Sequence, residues 1–159
     1  MSAPEAGIYI LTGPVQSGKT TSLLQWAERR KDVHGILTPV MNGKRVFVDA
    51  NSKEQFAMEA ATGETATLPV GRFNFSKAGF DKAIQIIRNN IHKDGWLIID
   101  EIGPLELRGE GFHDVLKEIF TLRRKKLILV VREDLAGKVA QQFSISQYAA
   151  VNNIRLLQG

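Results

Sequence analysis

The sequence contains no cysteine among its 159 residues. That absence excludes a disulfide framework and any metal site built on thiolates. No apolar run approaches the roughly 20 residues that a membrane-spanning helix needs. The first residues, "MSAPEAGIYIL", lack the basic segment and long apolar core of a signal peptide. We therefore expect a cytoplasmic protein that has no membrane partner.

Charge of one sign is not in large excess either, since the formal net charge is +4. A mild positive charge suits an anionic ligand. The basic clusters at 29–31 and 123–126 fall where helices are expected to end, and cations there complement the helix dipole. No aromatic residues interleave with these clusters to stack bases. We therefore expect no nucleic-acid partner, and the sequence indicates no surface for a protein partner.

Apolar periodicity alternates between strand and helix along the chain. The Asn-Gly pair in "MNGK" predicts a β-hairpin, and the stretch 62–79 reads as a loop with three glycines and a proline. The pattern favours one three-layer α/β domain over 1–159, with a mainly parallel sheet, helices on both faces and an added hairpin. Strands are predicted at 7–13, 35–40, 45–50, 54–60, 95–100, 126–131 and 153–157, and helices at 20–31, 80–91, 112–120 and 133–143.

The stretch "LTGPVQSGKTT", residues 11–21, fits the complete Walker A pattern. Its glycines let backbone N–H groups converge on phosphate oxygens, and the following helix adds its positive dipole end. Lys19 is predicted to reach the β- and γ-phosphates, and Thr20 to bind Mg²⁺. The predicted phosphate-binding residues are Gly13, Pro14, Val15, Gln16, Ser17, Gly18, Lys19, Thr20 and Thr21.

A second acidic motif, "WLIIDEIGPLEL", begins with an apolar strand that ends at Asp100. In proteins with a Walker A loop, an acid at such a strand end orients Mg²⁺. Glu101, expected just past the strand tip, is placed to orient a water molecule and take its proton.

Three functions fit these two motifs: hydrolysis of a nucleoside triphosphate, phosphoryl transfer to an acceptor, and nucleotide-gated binding without catalysis. The chain has no Asn-Lys-x-Asp signature for guanine, and the only candidate for an arginine-rich kinase lid is 123–126. Adjacent Asp-Glu at the strand end favours hydrolysis. Kinase activity remains the main alternative, because the loop 61–79 would serve either as a lid or as an acceptor site.

Four stretches together resemble a known family: "LTGPVQSGKTT", "GILTPVMNGKRVFVD", "VGRFNFSKAGFDKAI" and "IIDEIGPLEL". They are similar to the small P-loop nucleoside-triphosphatases first described in thermophiles, whose human member is the cancer-related nucleoside-triphosphatase. The resemblance covers roughly residues 8–145. It implies a fold like that of RecA-like ATPases and nucleotide kinases.

The resemblance also implies slow, Mg²⁺-dependent hydrolysis of several nucleoside triphosphates, ATP or GTP among them, with broad base tolerance. It assigns Gly13, Gly18, Lys19 and Thr20 to phosphate and Mg²⁺, Asp100 to the metal, and Glu101 to the attacking water. Glu106 matches the last acid of the family signature. Its role is open between a structural salt bridge and catalysis.

Arginine commonly stabilises the charge of a phosphoryl-transfer transition state. Arg132 follows a predicted strand, so it is expected at the edge of the sheet where ligands bind. Arg72 lies in the glycine-flanked "VGRF", and Arg108 follows the acidic motif as a third candidate. Arg132 and Arg72 are the predicted catalytic arginines. Phe73 and Phe75 are expected in the core rather than stacked on a base.

Overall fold

The computed structural model describes residues 7–13, 18–124, 126–154 and 157. Four of the predicted phosphate-binding residues, Pro14, Val15, Gln16 and Ser17, lie outside the described residues. The strands are β1 (Ile8–Leu11), β2 (Val33–Leu37), β3 (Val40–Met41), β4 (Lys44–Asp49), β5 (Gln55–Ala57), β6 (Thr67–Val70), β7 (Phe73–Ser76), β8 (Trp96–Ile102), β9 (Leu127–Val131) and β10 (Ala149–Val151). The helices are α1 (Lys19–Glu28), α2 (Lys77–Asn90), α3 (Pro104–Leu107), α4 (His113–Thr121) and α5 (Ala136–Gln142), with a 3₁₀ turn at Glu133–Leu135.

The main sheet has the strand order β10-β1-β9-β8-β2-β4-β3, and β5 pairs with the free side of β4. Strands β10, β1, β9, β8 and β2 are all parallel, whereas β4 runs antiparallel to β2. The mainly parallel sheet predicted from the sequence is therefore confirmed. Because β9 lies between β1 and β8, the carboxyl ends of these three strands meet at one edge of the sheet.

The predicted hairpin around "MNGK" is also confirmed. Asn42 and Gly43 both have positive φ angles, 53° and 79°. A two-residue turn of this kind matches the twist of paired strands. It joins β3 to β4 and makes β4 the antiparallel addition to the sheet.

Helices cover both faces of the sheet, which explains the continuous apolar runs of its central strands. Along β8, Leu97 and Ile99 join the core beneath α2 and α4, whereas Trp96 and Ile98 join the core beneath α1. A strand buried on both faces has no solvent side on which polar residues could alternate.

No described helix is long and apolar enough to cross a membrane.

The prediction of a loop over 62–79 is wrong. Residues 67–76 form the antiparallel hairpin β6–β7, in which Val70 pairs with Phe73 across the turn at Gly71 and Arg72. Gly71 has a φ of 57°, which suits a tight turn. Pro69 lacks a backbone donor, but a strand with one neighbour tolerates that loss.

Other element boundaries also differ from the prediction. Helix α1 ends at Glu28 rather than at residue 31, and the predicted helix over 133–143 opens with a 3₁₀ turn. The sheet is closed by β10 at 149–151, a few residues before the predicted strand at 153–157, of which 155 and 156 lie outside the described residues. The short helix α3 was not predicted, since four residues are too few for a helical period.

Candidate functional site

The phosphate loop runs from the end of β1 to the start of α1. Gly18, at the N-cap of α1, has a φ of 78°, a left-handed conformation that favours glycine. The Lys19 Nζ donates a hydrogen bond to the Gly13 carbonyl at 3.2 Å. The backbone N–H of Glu133 donates to the same carbonyl at 3.3 Å. The loop is thus attached directly to the residue that follows Arg132 at the end of β9.

Asp100 lies on β8 and is fully buried. Its Oδ2 accepts hydrogen bonds from Thr20 Oγ1 at 3.0 Å and from the Thr38 backbone N–H at 3.1 Å. Its Oδ1 has no hydrogen-bond partner among the described residues. Burial, followed by the nearby charge of Glu101, raises the pKa of Asp100 to about 6. The structure therefore brings together Thr20 and Asp100, the two residues predicted to bind the metal.

These two residues fit Mg²⁺. The described residues contain no group of three or more acidic or histidine side chains that would enclose a metal ion. No metal-binding role is assigned to His34, His92 or His113. Mg²⁺ in nucleotide sites is usually held by one or two protein oxygens, together with waters and substrate phosphates. A hydroxyl and a buried carboxylate with one unused oxygen supply that kind of incomplete donor set.

Glu101 lies within β8, not past its tip as predicted. Asp100 pairs with Val130 and Ile102 with Val131, so Glu101 is an extra residue in a bulge opposite β9. The peptide bond between Asp100 and Glu101 is cis. A bulge redirects a side chain relative to the regular pleat. Glu101 is half-buried and lines a cavity that Arg132 also lines.

The three candidate arginines have different surroundings. Arg132 follows β9 directly, between the phosphate loop on β1 and the acids on β8, and its nearest carboxylate is Asp134 at 3.4 Å. Arg72 lies exposed at the turn of the β6–β7 hairpin, with its guanidinium 5.2 Å from the centre of the Phe73 ring. The Arg108 Nε donates to Glu110 at 2.7 Å, and its Nη2 donates to the Pro69 carbonyl. Arg108 therefore connects the end of α3 to β6.

Glu106 is 2% exposed, and both of its carboxylate oxygens accept from the backbone. Oε1 accepts from the Gly103 N–H at 2.7 Å, which caps α3, and Oε2 accepts from the Phe112 N–H at 3.0 Å. Burial raises the pKa of Glu106 to about 7. The partners of this acid are backbone donors rather than the cation of a salt bridge, so Glu106 fixes the turn between β8 and α4.

Thr38 is a site residue that sequence reasoning missed. Its backbone N–H holds Asp100, and its own hydroxyl is buried without a partner among the described residues. Nothing in "GILTPV" marks this threonine, because its contact with Asp100 spans 62 positions.

Phe75 is buried against Phe80, as expected for a core residue, and stacks on Phe73 with ring centres 5.7 Å apart.

Comparison with known proteins identifies the family. A family model described as NTPase matches residues 8–156. The chain belongs to this NTPase family. The family resemblance stated from the sequence is confirmed, and nucleoside-triphosphate hydrolysis is favoured over the kinase alternative.

Individual relatives agree with this assignment. The chain is 30% identical to the "Nucleoside-triphosphatase THEP1" of Saccharolobus solfataricus over 81% of this chain and 79% of the relative. It is 30% identical to the protein of the same name from Methanothermobacter thermautotrophicus, over 70% and 69%. The crystal structure of THEP1 from the hyperthermophile Aquifex aeolicus superposes with a TM-score of 0.71 at 20% identity, covering 91% of this chain and 88% of that one. That likeness confirms the predicted fold.

Proposed function

We propose that this single domain, residues 1–159, hydrolyses nucleoside 5′-triphosphates to diphosphate and phosphate with Mg²⁺ as cofactor. The observation that carries the proposal is the 3.0 Å hydrogen bond from Thr20 Oγ1 to Asp100 Oδ2, where α1 follows the phosphate loop. Asp100 keeps one buried oxygen without a partner among the described residues. A buried polar atom left without a partner costs stability, so its retention points to a bound species. The cytoplasmic location and the absence of nucleic-acid partners remain predictions from composition.

The phosphates are assigned to the loop residues 13–21 and to Lys19, whose ammonium group neutralises the charge of the β- and γ-phosphates. Thr20 and Asp100 would hold Mg²⁺, which supplies further neutralisation of the phosphate charge. The Thr38 N–H positions Asp100 through its hydrogen bond at 3.1 Å. The family resemblance implies slow turnover of ATP, GTP and other triphosphates, and the absence of a guanine signature agrees with broad base tolerance.

Glu101 is assigned to the water molecule that attacks the γ-phosphate. It is half-buried next to Asp100, and the bulge in β8 turns it away from the ladder with β9. A carboxylate so placed orients the water and accepts its proton. Arg132 is assigned to the charge that develops on the transferring group, because β9 places it between the loop and Glu101. Arg72 ranks second, because it lies at the turn of the β6–β7 hairpin and would have to reach the site from there.

The hydrolysis assay needs only the purified protein, Mg²⁺ and a panel of nucleoside triphosphates, with phosphate and diphosphate products followed. Phosphate release without any acceptor is expected for several bases. Lys19→Ala should abolish it, and Glu101→Gln should reduce it by roughly 100-fold. Glu133→Gln is the matched control, because Glu133 is an exposed acid at the end of the neighbouring strand.

Two results would contradict the proposal. Turnover that appears only when an acceptor alcohol or nucleotide is added would replace hydrolysis with phosphoryl transfer. A Glu101→Gln variant that hydrolyses at the wild-type rate would remove Glu101 from the mechanism. Comparing Arg132→Ala with Arg72→Ala in the same assay ranks the two arginines, and we expect the larger fall in kcat for Arg132→Ala.

A further inference from the structure

A cavity of about 160 Å³ lies on the side of Glu101 that faces the β6–β7 hairpin. Most of its wall is apolar and includes Val70, Phe73, Phe75 and Leu105. An apolar cavity of about 150 Å³ is large enough to hold one benzene ring. The cavity therefore has room for a compact organic molecule next to the place assigned to the attacking water.

The polar end of this cavity presents donors that the described protein does not use. Thr38 is 1% exposed, and its buried hydroxyl has no partner among the described residues. The half-buried Arg45 guanidinium makes one long hydrogen bond, 3.4 Å, to the Thr38 carbonyl. A buried hydroxyl without a partner carries a desolvation cost that a bound group would relieve.

Of the two arginines that line the cavity, Arg45 is the one without a salt bridge among the described residues. Arg132 pairs with Asp134 at 3.4 Å, and both oxygens of Glu106 accept from backbone N–H groups. Glu59 accepts from the backbone of Arg45, not from its guanidinium. Arg45 thus has no described carboxylate within salt-bridge distance, although its charge acts on Asp100 from farther away and opposes the rise that burial causes in the pKa of that acid. A planar guanidinium of this kind binds a carboxylate through two parallel hydrogen bonds.

We propose that the cavity binds a small carboxylate whose apolar body is about the size of one ring. The carboxylate lies between the Arg45 guanidinium and the Thr38 hydroxyl, and the apolar body packs on Val70 and the stacked rings of Phe73 and Phe75. The ligand is a second molecule beside the nucleotide. The inference rests on the proposed function only in that Glu101 and Arg132 are shared by the two sites.

Binding is tested on ¹⁵N-labelled protein without nucleotide or metal, so its outcome is independent of the hydrolysis assay. The probes are benzoate, phenylacetate and isovalerate, and benzyl alcohol is the neutral control. Saturable shifts are expected for the amides of Val70, Phe73 and Leu105. Benzoate should bind at least about tenfold more tightly than benzyl alcohol, since only benzoate carries the charge that Arg45 recognises.

Matched variants locate the ligand. Arg45→Gln should weaken benzoate binding at least about tenfold. Lys44→Gln should leave it unchanged, because it removes the same charge from a neighbouring exposed residue that does not line the cavity. Thr38→Val removes the hydroxyl but keeps the side-chain shape and the N–H to Asp100, so benzoate should bind several-fold more weakly with no loss of thermal stability.

Filling the cavity gives a second, independent measurement. Val70→Phe should abolish binding while phosphate release stays at the wild-type rate, whereas Leu68→Phe on the same strand should bind benzoate normally. The proposal is overturned if no probe gives saturable shifts, or if benzoate binds Arg45→Gln and Val70→Phe as tightly as the wild type. It is also overturned if the neutral probe binds as well as benzoate.

Discussion

Two buried carboxylates, six positions apart, are satisfied to different degrees. Glu106 places each oxygen on a backbone N–H, so the protein completes its hydrogen bonding. Asp100 has two donors on Oδ2 and none on Oδ1 among the described residues. Both acids have raised pKa values for the same first cause, which is burial. A raised pKa alone therefore does not distinguish a functional acid from a structural one. The unused oxygen of Asp100, which Glu106 lacks, does distinguish them.

The strongest test of this contrast is Asp100→Asn. The amide keeps the shape of the side chain but removes the charge that binds the metal, so phosphate release should fall roughly 1000-fold. The thermal midpoint should stay the same or rise, because an ionised group no longer has to be buried. Asp94→Asn is the control, since Asp94 is exposed just before the opposite end of β8. A melting temperature that drops together with activity would make Asp100 a structural acid like Glu106.

Glu106→Ala should lower stability and leave hydrolysis unchanged, the opposite of Asp100→Asn. The substitution leaves the Gly103 and Phe112 N–H groups buried without an acceptor, which should cost about 3 kcal/mol of unfolding free energy. Hydrolysis per folded molecule should remain close to that of the wild type. Urea unfolding measures the loss, with Glu118→Ala as the control, because Glu118 forms an exposed ion pair with Arg88. If folded Glu106→Ala were inactive, Glu106 would belong to the catalytic site.

The pH dependence of stability provides a third comparison. The pKa of Glu106 is raised from 4.5 to about 7, so the folded state binds more protons than the unfolded state across that window. Unfolding free energy should therefore fall as pH rises from 4.5 to 7, by about 2–3 kcal/mol from this group. Glu106→Gln does not titrate and should lose that part of the slope. Urea titrations of both proteins at pH 5 and pH 8 measure it, and equal slopes would show that Glu106 titrates normally.

The smallest effect is expected at a glycine beside Glu106. A side chain at Gly111 would collide with Glu106 Oε2, whereas one at Gly109 would meet open space. Both glycines have positive φ angles, so Gly109→Ala measures the backbone cost alone, about 1 kcal/mol. Gly111→Ala should cost about 1–2 kcal/mol more in urea unfolding. Equal losses in the two variants would mean that the surroundings of Glu106 are less tightly packed than the structure indicates.

Much of the fold follows from local sequence, because its strongest signals are local. The apolar runs in β8 and β9 predict strands covered on both faces, and Asn42-Gly43 predicts the hairpin turn. The β6–β7 hairpin was missed because its proline and glycines are typical of loops. Its pairing depends on Phe75 being buried against α2, a contact between elements that no local pattern records.

Some residues of the candidate site were predicted from local motifs, and others are brought there only by strand pairing. Thr20 and Asp100 were identified because each belongs to a motif with a known chemical reason, and the structure places their oxygens 3.0 Å apart. Thr38 and Arg45 lie in the family-like stretch "GILTPVMNGKRVFVD", but no chemical reason in the sequence marks either residue, since they reach the site only through the pairing of β2 with β8 and β4. Glu101 was predicted just past the end of the strand, whereas it lies in a bulge within β8, and that bulge depends on the register against β9. The roles of these residues in catalysis stay predictions.

The strand order has a consequence for how the protein is made on the ribosome. The neighbours of β1 are β9 and β10, which are synthesised long after β1 itself. Until residues 127–131 emerge, β1 has no partner strand. The phosphate loop that follows β1 is then not held in position by the sheet. Contacts between such distant segments form slowly, because a long loop must close first. The nascent chain therefore acquires its nucleotide site only after residues 127–131 have emerged.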